Sequence, residues 1–279
     1  MTPAARIAAA IEVLGDIEAK RRPAADTLKE WGVAHRFAGS GDRAAIAGLV
    51  YDTLRRKLSA SYLMGEDTAR AATLGMLRLE RGYDTAEIAA LFSGERFAPA
   101  PLSGSEETAL QSSRLDNAPL HIAGDYPEWL DPYLVCTFGD QRAEEAAALA
   151  RRAPLDLRVN TLKANRGQAL AALDHLGARA CEYSPIGVRI ELRPDAKSPA
   201  IQAEPAFLKG QVEVQDEGSQ LVSLMAGARS DEMVIDLCAG AGGKTLALAA
   251  AMQNRGRIFA TDRDKRRLAP IHDLSLIHI

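Results

Sequence analysis

The N-terminal part of the chain carries the hydrophobic spacing of amphipathic helices. Ile7, Ile11 and Leu14 recur three or four positions apart, and a second stripe of the same kind begins at Ile46. Apolar side chains at this spacing share one face of a helix, which they bury against neighbouring helices. The pattern therefore predicts a small helical domain over residues 1–115.

Polar residues that can accept hydrogen bonds from the first amides of a helix precede several apolar stripes. They are Asp42, Asp84, Asp140, Asn165 and Asp216. In the helix after Asp216, Leu221, Leu224 and Met225 are expected to face inward. Proline, serine, glycine and charged residues mix over 98–119, which predicts a linker. Beyond the linker, Trp129 precedes Leu130 on an apolar stripe and is expected to pack rather than to bind a ligand.

The middle of the chain changes to a period of two. Leu157 and Val159 alternate with Arg158 and Asn160, which predicts a strand with the apolar side chains on one face and the polar side chains on the other. A helical stretch and two shorter strand patterns follow. Together they predict a small α/β subdomain over 123–205.

The stretch MVIDLCAGAGGKT at 233–245 contains the clearest functional signal. A short apolar run ends at Asp236, and Gly240, Gly242 and Gly243 then lead into an alanine-rich segment. This is the pattern of a strand, a glycine turn and a helix, in which main-chain amides approach a ligand with no Cβ in between. The pattern predicts a nucleotide-like ligand.

Spacing separates three classes of ligand. A P-loop requires glycine where this chain has Cys238, and a dinucleotide fingerprint requires a third glycine where it has Thr245. S-adenosylmethionine (SAM) remains. A second apolar run ends at Asp262, about twenty residues past the glycines, where a carboxylate can accept hydrogen bonds from ribose hydroxyls. The alternative is that Asp236 and Asp262 only cap the helices that follow.

Three ordered segments resemble the RsmB/Fmu/Sun family of RNA 5-methylcytosine methyltransferases. Residues 236–245 are similar to its Asp-x-Cys-Ala-Ala-Pro-Gly-Gly-Lys-Thr motif, with Gly240 and Ala241 in place of Ala-Pro. Residues 214–221 and 157–162 are similar to its Val-Gln-Asp-x-x-Ser-Gln-Leu and Leu-Arg-Val-Asn-x-Leu segments. The resemblance implies SAM as cofactor, held by Cys238, Ala239, Gly240, Ala241, Gly242, Gly243, Lys244 and Asp262.

The resemblance also implies an α plus α/β fold in three parts. Similarity at 36–43 and 49–56 implies that the helical domain is a NusB-like RNA-binding bundle. The α/β subdomain at 123–205 corresponds to a segment that helps to form the RNA cleft, and Arg158 and Asn160 are candidates for contact with RNA there. The alternative is that both are only solvent-facing strand residues. Residues 206–273 correspond to the first, incomplete part of a Rossmann-like class I SAM methyltransferase sheet.

The chemistry of the family depends on cysteines that this sequence lacks. Cytosine C5 becomes nucleophilic only after a thiolate adds to C6. Asp-Ala-Pro-Cys and Thr-Cys-Ser segments supply the two family cysteines, and neither segment occurs here. Cys238 lies in the cofactor turn and is not expected to attack C6. We therefore expect an inactive N-terminal part of the enzyme, with no catalytic residue of its own and with 274–279 as a foreign tail.

Composition limits the remaining possibilities. The 279 residues, 47% of them hydrophobic, are enough for two domains, and the sequence has no targeting or membrane segment, so a cytoplasmic, monomeric protein is expected. Three scattered cysteines predict neither disulfides nor a metal site. With a net charge of -3, RNA binding has to come from local clusters such as 20–22 and 55–57, which are otherwise solvated helix ends. The expected partner is ribosomal RNA. The alternative function is a non-catalytic RNA-binding protein with a vestigial cofactor fold.

Overall fold

The computed structural model describes residues 1–112, 114–192 and 199–278. Parts of the predicted linker, α/β subdomain and tail, namely Ser113, 193–198 and Ile279, lie outside the described residues. The chain forms two compact units, which meet in sequence near residue 152. Within the described segments, no helix has the length and apolar character needed to cross a membrane.

Helices make up the first unit. Its α-helices are α1 (Pro3–Lys20), α2 (Ala24–Ala34), α3 (Ser40–Arg55), α4 (Lys57–Met64), α5 (Ala69–Leu79), α6 (Thr85–Leu91), α7 (Gly104–Ser112), α8 (Leu120–Ala123), α9 (Asp131–Phe138) and α10 (Arg142–Ala150), with 3-10 turns at Glu128–Leu130 and Gly139–Gln141. One apolar cluster surrounds Leu74, Leu77 and Ile88, and a second surrounds Val13 and Ile46. The predicted stripes therefore form the core.

Two of the predicted helix caps in this unit have different outcomes. Asp84 caps α6 through a reciprocal pair of hydrogen bonds with Glu87, as predicted. Asp42 is not a cap, because α3 begins earlier and Gly39 occupies its N-cap position. The Asp42 carboxylate instead accepts a hydrogen bond from Arg6 at 2.9 Å.

The predicted linker contains a helix. The α7 helix crosses this stretch and buries Leu110, which is 2% exposed, in the first apolar cluster. Arg70 Nε donates to Glu106 Oε1 at 2.6 Å and holds the first turn of α7 against α5. The linker prediction is therefore wrong over Gly104–Ser112. Burial of Leu110 and the Arg70–Glu106 ion pair stabilise a helix there, although the composition of the segment is polar.

The segment from α8 to α10 packs within the helical unit. The Asp125 carboxylate accepts hydrogen bonds from the amide and hydroxyl of Ser59 at 2.9 and 2.6 Å, which ties the segment to α4. Trp129 is 68% exposed, so the prediction that it packs is wrong. Asp140 is not a helix cap either, since α10 begins after Gln141.

The second unit begins with a four-stranded antiparallel sheet in the order β2-β3-β1-β4. Its elements are β1 (Leu155–Val159), α11 (Arg166–Ala172), β2 (Arg179–Ala180), β3 (Gly187–Ile190), α12 (Pro205–Leu208) and β4 (Val212–Val214), with 3-10 turns at Asp174–Leu176 and Ile201–Ala203. Leu157, Val159 and Leu173 lie in its core. Asn165 caps α11 as predicted.

Strand β4 lies in the segment that the sequence assigns to the methyltransferase part. It pairs instead with β1, Leu157 lying opposite Val214. The remaining elements are α13 (Glu217–Met225), β5 (Met233–Asp236), α14 (Gly243–Ala251), β6 (Arg257–Ala260), α15 (Lys265–Leu268) and α16 (Pro270–His278). The strands β5 and β6 are parallel, which requires a crossover, and α14 provides it.

The inward face of α13 is polar. Asp216 caps this helix as predicted, but its buried residues are Glu217, Gln220 and Ser223, while Met225 is 85% exposed. Glu217 Oε1 accepts hydrogen bonds from the amides of Tyr183 and Ser184, which holds the polar face against the turn between β2 and β3. The predicted inward orientation of Leu224 and Met225 is therefore wrong.

Candidate cofactor site

The carboxyl ends of the two parallel strands lie side by side. The register pairs Asp236 with Ala260, and the Thr261 amide then donates to the Asp236 carbonyl at 2.8 Å. The Ala239 amide returns a hydrogen bond to the Thr261 carbonyl at 2.9 Å. These two bonds hold the turn after β5 against the segment after β6. The glycine turn and Asp262 therefore meet at one edge of the strand pair.

The Asp262 carboxylate joins these two segments. Its Oδ2 accepts a hydrogen bond from the Gly240 amide at 3.0 Å, and its Oδ1 accepts one from the Asp264 amide at 2.9 Å. The Asp264 amide, followed by the Gly240 amide, lowers the pKa of the Asp262 carboxyl below its ordinary value. The group is therefore a carboxylate at neutral pH, and each oxygen keeps a lone pair for a further donor.

Helix capping does not account for the two strand-end acids. The cap of α15 is Asp264, whose side chain accepts from the Arg266 amide. Asp236 accepts a hydrogen bond from the Thr245 hydroxyl at 2.7 Å, which fixes the first turn of α14 to the end of β5. Asp236 thus binds the end of the turn through Thr245, and Asp262, after the neighbouring strand, binds its middle through Gly240.

The glycine turn has a backbone that side chains disfavour. Gly240 and Gly242 have φ angles of 54° and 91°, and Gly242 is the N-cap of α14. A Cβ at Gly242 would also overlap the side chain of Ile271. Both glycines are buried, whereas Cys238 and Lys244 on either side of them are exposed. Cys238, Ala239, Gly240, Ala241, Gly242, Gly243 and Lys244 thus form one continuous turn from β5 to α14.

A buried polar pair, Arg158 and Gln215, lies next to the turn, and the sequence did not predict the contact between them. Arg158 Nε donates to Gln215 Oε1 at 2.7 Å, and Gln215 Nε2 lies 3.6 Å from the position that a Cβ would take at Gly243. Arg158 is 1% exposed, so it faces neither solvent nor an open cleft, and burial lowers the pKa of its guanidinium. Asn160 is also buried, and its amide donates to the Gly210 carbonyl at 2.9 Å. Arg158 and Gln215 lie in 157–162 and 214–221, two segments that are similar to the same family. That shared similarity was the sequence feature that could have suggested their contact.

A cavity of about 430 Å³ lies beside this turn. Its lining includes Thr245 and Ala249 of α14, Ile258 of β6, and Ile271 and His272 of α16. The residues of the glycine turn and Asp262 are not part of its lining. The cavity therefore belongs to the packing of α14 against α16, and the candidate cofactor site is the open surface above the turn.

A second cluster, Asp156, Cys181 and Glu217, contains possible metal ligands within 4.8 Å of one another. Arg189 donates to both oxygens of Asp156 at 2.7 and 2.8 Å and to Glu217 at 3.1 Å. Its guanidinium already supplies the positive charge that a metal ion would bring. Burial, as the main cause, raises the pKa of the Cys181 thiol to about 11, which keeps it protonated and a poor ligand. We assign no metal to this cluster.

Comparisons with known families match the second unit and the end of the first. Residues 126–196 match a family described as RsmF/B-like methyltransferase, ferredoxin-like domain. Residues 224–275 match the family described as 16S rRNA methyltransferase RsmB/F. The second match contains the glycine turn, Asp262 and both parallel strands.

Curated relatives carry related names. The chain is 29% identical over 254 residues to the probable ribosomal RNA small subunit methyltransferase B of Synechocystis sp., with 81% of this chain and 56% of the relative aligned. It is 32% identical over 163 residues to the probable enzyme of that name from Bacillus subtilis, covering 55% of this chain and 35% of that protein. The chain thus spans about half the length of the first relative and about a third of the second.

Solved structures are similar as well. The crystal structure of PH0851 superposes with a TM-score of 0.66 at 21% identity, covering all of this chain and 68% of the other. A methyltransferase homolog protein from Pyrococcus horikoshii superposes with a TM-score of 0.50 at 25% identity over 57% of this chain and 52% of that protein. The first likeness concerns the fold alone.

Proposed function

Because the chain belongs to the RsmB/Fmu/Sun family of RNA methyltransferases, we propose that it is part of an enzyme that transfers a methyl group from SAM to C5 of cytosine in ribosomal RNA. The observation that carries this proposal is the hydrogen bond between the Gly240 amide and the Asp262 carboxylate. It brings the glycine turn and Asp262, to which we assign the ribose hydroxyls, to one edge of a parallel strand pair.

The finer fold assignment follows from the same proposal. The helices within 1–115 form a NusB-like bundle, and β5 and β6 form the first strands of a Rossmann-like SAM domain. Support for the second part is the parallel pairing of β5 and β6 with α14 between them, at whose carboxyl ends ligands of such folds bind.

The residues of the turn are chemically suited to SAM. The glycines place no Cβ between the main chain and a ligand, and the first amides of the nine-residue helix α14 form a positive helix end that would attract the carboxylate of SAM. Asp262 retains acceptor capacity for the two ribose hydroxyls. When bound, SAM supplies the electrophilic methyl group. Residues Cys238 to Lys244 form the floor of the site.

The cysteine that attacks C6 of cytosine is not part of the cofactor turn in this proposal. Adding a thiolate to C6 of cytosine requires a cysteine that faces the base, and Cys238 lies in the cofactor turn at the end of β5. We therefore place both catalytic cysteines of the complete enzyme outside these 279 residues, so that the chain by itself binds SAM but does not transfer the methyl group.

Two measurements on the 279-residue chain test this proposal. Equilibrium binding of tritiated SAM should be detectable, and methyl transfer to unmodified 16S ribosomal RNA should stay at background. Methyl transfer above background that disappears in Cys238→Ser would contradict the assignment of the nucleophile. RNA binding without any SAM binding would instead favour the non-catalytic RNA-binding alternative.

A further inference from the structure

The two basic clusters that the sequence offered for RNA binding are paired with acids. All of the cations at 20–22 and 55–57 except Arg21 lie in ion pairs of the helical unit. Their acidic partners are Asp16, Glu18, Glu30, Asp52, Asp67, Glu80 and Asp125. Positive charge at these sites is therefore neutralised locally, and an RNA phosphate would have to compete with a carboxylate already in place.

A ladder of aromatic rings runs from the core of this unit to its surface at the loop between α2 and α3. Trp31 is 8% exposed and stacks on His35 with ring centroids 4.3 Å apart. Phe37 meets His35 edge to face at 5.7 Å and is 73% exposed. The His35 Nδ1 lies 2.9 Å from the Trp31 carbonyl oxygen, which fixes the middle ring. Phe37 is therefore an exposed ring whose position is fixed by its contact with His35.

Three cations, Lys29, Arg36 and Arg43, lie in the loop that carries this ring or on the two helices that flank it. Arg43 lies along Gly32 of α2 and donates its Nε to the Ala38 carbonyl at 2.9 Å, so the rest of its guanidinium stays unused by this bond. Arg36 precedes Phe37 and is exposed, and Lys29 lies one turn before Gly32 on α2. Within residues 1–112, 114–192 and 199–278, neither arginine nor Lys29 forms an ion pair.

Three acids, Asp26, Glu30 and Asp42, lie close to these cations in sequence, and two of them have other partners. Glu30 pairs with Arg22, and Asp42 pairs with Arg6 at 2.8 Å and with the N-terminal ammonium group at 3.2 Å. The loop therefore presents a net positive charge around an exposed aromatic ring, in a chain whose overall charge is -3.

We propose that the surface formed by Lys29, Arg36, Phe37 and Arg43, called here the Phe37 surface, binds a single-stranded segment of RNA. An unpaired base stacks on the Phe37 ring, and the arginines contact the adjacent phosphates. An acidic protein segment could use the cations but would leave the ring without a planar partner. The inference rests on the proposed function only in taking RNA as the substrate, and it is independent of the cofactor site.

The test measures binding of the 279-residue chain to a fluorescein-labelled single-stranded 12-nucleotide RNA of mixed sequence by fluorescence anisotropy. Phe37→Ala should weaken binding about tenfold, which is typical for the loss of one stacked base. Phe37→Trp should bind at least as well as the parent. Arg36→Gln and Arg43→Gln should each weaken binding and lower the dependence of log affinity on log salt by about one.

Phe97 provides a matched control in the same unit. It is 68% exposed and also follows an arginine, but the Arg96 guanidinium already lies over its ring, 4.8 Å from the centroid. Phe97→Ala should therefore change RNA affinity less than about twofold, because no stacked base is lost. Equal losses for Phe37→Ala and Phe97→Ala would overturn the inference, as would parental affinity in Phe37→Ala.

Two further outcomes separate this inference from neighbouring ones. Competition by poly-glutamate as strong as that by unlabelled RNA would overturn it in favour of an acidic protein partner. A chain that binds SAM but not the RNA would overturn it while leaving the cofactor proposal intact. SAM affinity should be the same in the parent and in Phe37→Ala, since Phe37 belongs to the helical unit.

Discussion

Gly240 and Asp262 are linked by a hydrogen bond of 3.0 Å from the main-chain amide of the first to the carboxylate of the second. The bond spans 22 residues of sequence and joins the ends of two parallel strands. It sets the position of the turn and orients the acid at the same time. Substitutions at either residue should therefore affect the same ligand.

Asp262→Ala should weaken SAM binding by about ten- to hundredfold, because it removes a charged acceptor for hydroxyl groups and releases the Gly240 amide. Isothermal calorimetry on the parent and variant chains measures the difference. Asp264→Ala is the matched control, since that carboxylate caps α15 and does not contact the turn. Equal affinities for Asp262→Ala and the parent would remove Asp262 from the site.

Gly242→Ala should destabilise the second unit through two separate effects. At a φ of 91° a Cβ costs about 1–2 kcal/mol of backbone strain. Its overlap with Ile271 adds about 1–3 kcal/mol. The free energy of unfolding is measured by hydrogen exchange of the slowest amides in this unit.

Gly177 separates the two effects. It has a φ of 68°, and a methyl group attached to its Cα would meet open space, so Gly177→Ala should show the strain alone. Adding Ile271→Ala to Gly242→Ala should recover part of the loss by removing the overlap. If the double variant were as unstable as the sum of its single changes, the contact with Ile271 would not be the cause.

The three cysteines should differ in their reaction with iodoacetamide at pH 8. Cys136 and Cys238 are exposed and should be alkylated, whereas Cys181 is buried and has a pKa raised to about 11, mainly by burial. Cys181 should react only after unfolding. Saturating SAM should slow the alkylation of Cys238 and leave Cys136 unchanged, as followed by mass spectrometry of the peptides. Equal protection of both would argue against binding at the turn.

The attachment of α7 should weaken in acid. The hydrogen bond from Arg70, with a further contribution from the Ser103 amide, lowers the pKa of the Glu106 carboxyl below its ordinary 4.5. A lowered pKa in the folded state stabilises α7 above about pH 4.5, and this contribution is lost as the pH falls through the folded-state pKa. Hydrogen exchange of α7 from pH 6 to 3 measures the effect.

Glu106→Gln should abolish this pH dependence and leave α7 more open at neutral pH. The neighbouring Glu107 is exposed, so Glu107→Gln should keep the parental profile. A parental profile in Glu106→Gln would show that another group controls the attachment.

The open side of the strand pair should make the chain prone to self-association. Ile235, Leu237 and Phe259 are 62%, 73% and 44% exposed, and Met225 of α13 is 85% exposed. Exposed apolar residues on edge strands favour association between chains. The double variant Ile235→Thr/Phe259→Thr should bind less anilinonaphthalene sulfonate and sediment more slowly at high concentration. Leu149→Thr, at a position 79% exposed on α10, should change neither measurement.

Local sequence patterns determined the elements that carry the site. The apolar run to Asp236, the glycines after it and the second run to Asp262 predicted a strand, a turn and a second strand, and the structure contains all three. Asp84 and Asn165 were recognisable as helix caps. These features depend on residues within a few positions of one another, so their physical causes are present in the sequence itself.

Only the tertiary structure decided which faces are buried and which elements associate. Strand alternation placed Arg158 on the polar face of β1, but the side chain is 1% exposed and donates a hydrogen bond to Gln215. Spacing along the strand cannot distinguish a buried guanidinium that has a hydrogen-bond partner from an exposed one. The polar composition around Leu110 concealed a helix that a single buried side chain and the Arg70–Glu106 pair attach to the bundle. Such outcomes depend on partners far away in the sequence, whose positions the chain acquires only on folding.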